Sequence, residues 1–158
     1  MRPMAGPFPS VAFFKQIGRD GIVPVQAIFS GEFTLNVKSA PLAAVPRGAR
    51  VTNVWMSVGA SGKDDDTGLS VTGEVYINGT SCLSIRPAIA HVSGEASQQK
   101  TTKVTGDTGI RQATIDTDAN TLTDGDMLTY DLDLVRTATP TTEIQNVILV
   151  VELEPIIG

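Results

Sequence analysis

The chain is poor in the side chains that usually do chemistry: it has one cysteine, Cys82, and one histidine, His91, in 158 residues. A single cysteine excludes an intrachain disulfide, and strand-like surroundings make Cys82 a small core hydrophobe sooner than a nucleophile. His91 sits in the apolar context IAHVS and reads as an ordinary strand residue. Aromatics make up 5% of the residues and Trp55 is the single tryptophan, which is thin for the stacked platforms of a sugar-cleaving groove. Lys and Arg are unclustered and the net charge is −5, so the electrostatic footprint of a nucleic-acid binder is missing. No apolar run approaches the roughly 20 residues of a membrane helix. The spellings G-x-S-x-G, H-E-x-x-H and the P-loop are absent too. No ten-residue helical period with caps at its ends can be found.

What the chain does have is alternation. RVTNVWMSV (50 to 58) is rich in β-branched and aromatic residues and predicts a strand. In LSVTGEVYINGTSCLSI, Leu69, Val71, Val75 and Ile77 share one face with Gly73, while Ser70, Thr72, Glu74 and Tyr76 share the other. Asn78-Gly79 follows, the dipeptide suited to a turn that needs positive φ at both central residues, so TSCLSI returns as the second arm of a β-hairpin. Asn78-Gly79-Thr80 also spells a glycosylation sequon, but without a signal peptide it has no route to modification. MLTYDLDLV places Leu128, Tyr130, Leu132 and Leu134 opposite Thr129, Asp131 and Asp133. QNVILVVEL (145 to 153) is almost continuously apolar, as in a central strand covered on both faces or one at a subunit contact.

The intervening segments are less regular. IVPVQAIF (22 to 29) predicts a strand that Pro24 either confines to an edge or makes irregular. GEFTLNVK (31 to 38) predicts another, followed by a proline-bounded link at 39 to 48. Asp64, Asp65 and Asp66 read as a solvated loop tip, since consecutive residues cannot aim all their carboxylates at one ion. Residues 93 to 109 are polar, include Lys100 and Lys103, and predict a long exposed loop or a loosely held excursion; 110 to 116 predicts a further short strand. These elements define an all-β chain, an antiparallel β-sandwich of jelly-roll-like kind, over 23 to 158, preceded by an extended N-terminal arm over 1 to 22.

One stretch, DTDANTLTDGD (116 to 126), imitates a calcium loop. Asp116, Asp118 and Asn120 satisfy the first, third and fifth positions of an EF-hand. The sixth, which needs glycine, is Thr121, and the twelfth, which needs a bidentate glutamate, is Met127. A strand also follows where a helix is required. The segment is therefore expected to be a polar connection with Asp124-Gly125-Asp126 as turn chemistry, and no metal or other cofactor is expected. Asp131 and Asp133 share a strand face and could bracket a glycosidic bond, but the shortage of aromatics argues against an enzyme.

VTNVWMSVG, SVTGEVYINGTSCLS, TLTDGDMLTYDLDLV and the apolar last strand together resemble a β-sandwich module of tailed-bacteriophage virion proteins. Capsid decoration (cement) proteins are among these, as are some tail and fibre proteins. The likeness covers about residues 50 to 153, with I-N-G-T (77 to 80) and L-T-D-G-D (122 to 126) as its most specific parts. It implies a non-enzymatic virion subunit whose partners are the major capsid protein and further copies of itself, in a homotrimer, with neither nucleic acid nor membrane bound. Its place would be the outer capsid surface, after assembly in the host cytoplasm. The chain holds no shaft, collagen-like repeat or heptad from which to build a fibre, which favours the head over a tail, fibre or baseplate protein as the alternative.

The arm supplies the candidate contact residues: Phe8, Phe13, Phe14 and Ile17, in a stretch with too many prolines for regular structure and too apolar to stay in water. They either cover the sandwich's own core or bind a neighbour. Burying four such side chains yields roughly 6 to 12 kcal/mol, whereas ordering about 20 residues costs on the order of 20 to 40 kcal/mol. An arm that binds a neighbour therefore needs backbone pairing with its partner or several linked copies acting together. The start of the chain, with three prolines and only the short apolar run Val11 to Phe14, is no secretory signal, so the chain is expected to remain in a cytoplasm until assembly.

Overall fold

A computed structural model describes residues 21 to 156. Phe8, Phe13, Phe14 and Ile17 lie outside the described residues. Thirteen strands are present in what is described: β1 (Val23–Glu32), β2 (Val37–Ala44), β3 (Ala49–Ala60), β4 (Ser70–Ile77), β5 (Thr80–Ser81), β6 (Leu83–Ile85), β7 (Ala88–Ala90), β8 (Lys100–Thr101), β9 (Ile110–Arg111), β10 (Thr114–Ile115), β11 (Thr121–Leu122), β12 (Met127–Val135) and β13 (Gln145–Pro155). No helix occurs among the described residues, and every pairing is antiparallel.

The strands form a jelly-roll-like sandwich. One sheet runs β1-β13-β3-β11, with β8 also on β3; the other runs β2-β12-β4-β7-β9, with β5 hairpinned onto β4. A small ribbon, β6 with β10, stands apart. Between the sheets lie Val54, Met56, Leu149 and Val151 from the first and Val71, Val75, Leu128 and Leu132 from the second, all essentially inaccessible to solvent. Alternation explains this directly, because the period of two sends every second side chain inward. In β3 the phase slips once: Asn53 faces Glu152 and Val51 faces Leu153, leaving Thr52 as the extra residue of a bulge. The sheets approach closely at Gly73, where an added Cβ would lie 2.8 Å from Met56 Sδ and 3.3 Å from Leu149 Cδ1.

Several sequence expectations hold. β1 is an edge strand, as Pro24 requires. β13 is central, held between β1 and β3, which accounts for its apolar run. Asn78 and Gly79 adopt φ of 47° and 87°, and Ile77 pairs with Thr80 across the turn. Cys82 is fully buried, and desolvation followed by the charge of Glu74 pushes its thiol up to about 12.

Others need correction. The strand expected at 31 to 38 does not exist as one element: β1 ends at Glu32, the chain bends near Leu35, and β2 occupies most of the expected link. Pro41 disguised β2 as a connection, yet β2 is an edge strand and so tolerates a residue without an N–H. Residues 110 to 116 make two separate strands, β9 on β7 and β10 on β6, instead of one.

Candidate functional site

Three clusters of polar side chains are the places where chemistry could reside. The first lies on the outer face of the second sheet. Asp131 on β12 is buried, and its oxygens are taken by the Tyr76 hydroxyl at 2.7 Å and the Ser39 N–H at 2.7 Å, with Lys38 Nζ at 3.8 Å. Ser39 sits in a register shift of β2 at φ 48°, a strained value for serine that turns its N–H away from the ladder and onto Asp131. Asp133 pairs with Lys38 and stands 3.6 Å from Arg86. The hydrogen bond to Asp131 raises the Tyr76 hydroxyl to about 12, and that to Asp133 raises Lys38. Glu74, opposite Asp131 in register, accepts from the Val75 N–H and the Ser81 hydroxyl, each at 2.9 Å. The two aspartates considered for glycoside cleavage are thus engaged in tying β2 and β4 to β12.

The second cluster fastens loops. Asp64 is 7% exposed, contrary to a solvated tip, because it caps its own turn through Asp66 N–H and Thr67 N–H and accepts from the Thr137 hydroxyl at 2.7 Å. That last bond is the main cause of its lowered pKa. Asp65 accepts from Gly94 N–H at 2.9 Å and from His91 Nε2 at 2.8 Å; the first contributes most to its own lowering. A carboxylate can only accept, so Nε2 is the donor in this contact, while Nδ1 is buried without a hydrogen-bond partner. His91 follows β7 directly and links two loops, a role its apolar neighbours conceal.

The segment 93 to 109 is likewise no loose excursion. Lys100, 3% exposed on β8, donates to Ala90 O at 2.9 Å and Thr108 O at 2.7 Å, and pairs with Glu95. Burial opposes the charge of Glu95, but bonds from Lys100, Thr108 and Val92 N–H outweigh it and bring the carboxyl down to about 2. Lys103 lies 4.9 Å from the ring of Trp55, whose Nε1 donates to Glu152 at 2.7 Å.

In the calcium-like stretch the three matched donors diverge. Asp116 accepts from Asp118 N–H, while the buried amide of Asn120 donates to Val51 O at 2.8 Å. Asp126 accepts from Thr123 N–H and from Asn78 Nδ2, both at 2.8 Å, so it joins its own turn to the β4–β5 hairpin. Among the described residues no group of three or more His, Cys, Asp or Glu is placed to hold a metal ion.

An apolar cleft completes the inventory. It opens between the two edge strands β1 and β2, lined by Val23, Val25, Ala43, Val45 and Leu153 with Pro155 at one end. No signal in the alternation pattern announces it, because it arises where two edges from different sheets fail to close.

No protein-family model and no curated protein matches the chain. Among solved structures, a chain of Desmodium yellow mottle tymovirus aligns over 100% of this chain and 98% of its own, at 14% identity and a TM-score of 0.36. A likeness at that score carries no argument. The class defined by the fold is an all-β antiparallel sandwich.

Proposed function

We propose that this chain is a structural subunit of a bacteriophage virion, a decoration (cement) protein that binds the outer surface of the icosahedral head and braces contacts between capsomers. The observation that carries its adhesive, non-catalytic part is the commitment of the buried ionisable groups. Asp64, Glu74, Lys100 and Asp131 are each consumed in tying strands and loops together. The residue pattern of 50 to 153 supports the virion part. Partners in this reading are the major capsid protein and two further copies, since a homotrimer matches a local threefold position in the shell and multiplies weak contacts. Phe8, Phe13, Phe14 and Ile17 supply the arm's contacts to neighbours.

The test is attachment. Among the described residues the thirteen strands lie between Val23 and Pro155. Deleting residues 1 to 20 is expected to abolish decoration of purified shells while leaving the melting temperature nearly unchanged. Unchanged occupancy on shells would refute the assignment of the arm. Absence of the chain from mature particles would refute the function itself.

A further inference from the structure

We propose that the outer edge of β1 is a docking strand for β1 of a second copy of this chain, the two running antiparallel about a twofold axis so that one sheet continues through both molecules. This goes beyond the trimer proposed above and does not depend on it, since a twofold contact joins copies in pairs whatever else each copy touches. An open sheet edge presents unpaired N–H and C=O groups to any strand that fits, and proteins blunt such edges with charge, bulges or brevity. β11 and β9, at the far ends of the two sheets, have two residues each, and β2 carries Lys38, Pro41 and two register shifts. β1 has none of these defences from Val25 to Phe29, and its one register shift lies beyond Phe29.

Which backbone groups of β1 are free follows from the ladder. Met56 N–H donates to Thr102 Oγ1 at 2.9 Å and Met56 O accepts from Thr102 N–H at 2.8 Å, so both groups face away from Leu149, the register partner of Met56 in β13. In an antiparallel ladder these groups alternate sides. Leu149 therefore directs its own toward Ala27, while Pro24, Gln26 and Ile28 direct theirs out of the sheet. Pro24 thus lacks its N–H on the side where its own chain asks for none. Among the described residues nothing hydrogen-bonds to the N–H of Gln26 or Ile28, and the Ile28 side chain is 58% exposed.

The edge is complementary to itself. With the axis at Gln26, that residue exchanges both its bonds with the partner's Gln26, and Ile28 N–H donates to the carbonyl of the partner's Pro24, which has no donor to give back. Ile28 then packs on the partner's Pro24 on the outer face, and Val25 on the partner's Ala27 on the inner one. Charge fixes the direction. Glu32 closes one end of β1 and Arg47 borders Val23 at the other, and among the described residues neither makes an ion pair. Antiparallel pairing sets these opposite signs together at both ends, where parallel pairing opposes like with like.

Disulfide trapping tests this on the full-length chain, because Cys82 is buried and stays silent. Across the axis the Cα atoms of the two Gln26 residues stand about 5.5 Å apart, within disulfide reach, so Gln26→Cys is expected to give a covalent dimer on mild oxidation. The two copies of residue 28 are offset by about 13 Å at ~3.3 Å per residue, and Ile28→Cys is expected to link several-fold less. A mixture of Ile28→Cys with Pro24→Cys is expected to restore the link. Added to Gln26→Cys, Ile28→Pro removes the outward N–H, and Ile28→Lys places a charge at the exposed edge without altering the backbone; each is expected to cut linkage several-fold. Sedimentation of the natural chain is expected to show a species of about twice the mass of that formed by Ile28→Lys at the same concentration. Equal masses would overturn the proposal. So would a Gln26→Cys chain that stays unlinked, the result if another segment or another protein owns this edge, or linkage as strong at 28 as at 26, the mark of random collision. Isolated protein suffices for every readout, so this result and attachment to shells are judged separately.

Discussion

Lys100 brings a full charge into the protein with 1% of its side chain exposed, and two carbonyls and Glu95 are arranged around it. Removing one member of such a pair strands the other, so Lys100→Ala is expected to cost about 3 kcal/mol in urea unfolding, the low end for a buried pair because Glu95 keeps 16% exposure. The same contact makes stability depend on pH. Folding lowers the Glu95 carboxyl from 4.5 to about 2, so its contribution is complete above the ordinary value and drains away as pH falls toward the folded one. Asp64, Asp65 and Asp126 are lowered too and act in the same direction below their ordinary 3.8. The denaturation midpoint should fall as pH drops through this window, less steeply in Glu95→Gln. Tyr76→Phe probes the outer cluster: it deletes one donor to Asp131 and is expected to cost about 1 kcal/mol. No change in unfolding free energy would show that the network does not brace β4 against β12.

At the scale of elements, what could be read from sequence depended on how many residues carried each signal. β3, β4, β12 and β13 are long, and their alternation exposes both the strand and its buried face. β5 to β11 have two or three residues each, too few for a period, and they form because neighbouring strands offer them partners. The outer cluster was legible only as a pair of aspartates on one face; their partners Lys38 and Ser39 come from β2 and Arg86 from the link between β6 and β7, and no local pattern states how these lie against β12. His91 with Asp65 is the same case, a contact between loops 26 residues apart. The β4–β5 turn is the opposite case, written in two residues. Gly79 has φ 87° and nothing within 4 Å of an added Cβ, so Gly79→Ala tests backbone strain alone. It is expected to lower stability by about 1 kcal/mol through the left-handed penalty. A neutral result in thermal unfolding would mean that the hairpin readily adopts another turn.

For the whole molecule the decisive contact is between the sheets. β4 is interior to the second sheet, and Met56 and Leu149 stand on β3 and β13, the two interior strands of the first, so Gly73 meets them at the middle of the sandwich. A side chain added there cannot escape over an edge. Gly73→Val must displace Met56, which is fully buried, or separate the layers along their length. Overpacking of this kind is expected to cost about 1 to 3 kcal/mol, while Met56→Ala alone leaves a cavity and costs about 2 to 5 kcal/mol. If the two residues compete for one space, the valine branches partly occupy the void left by methionine, and the double variant is less destabilised than the sum of the singles. Chemical denaturation of the four proteins measures that difference. Strict additivity would mean that Gly73 and Met56 do not share the space between the sheets, and that the close approach of the two layers lies elsewhere.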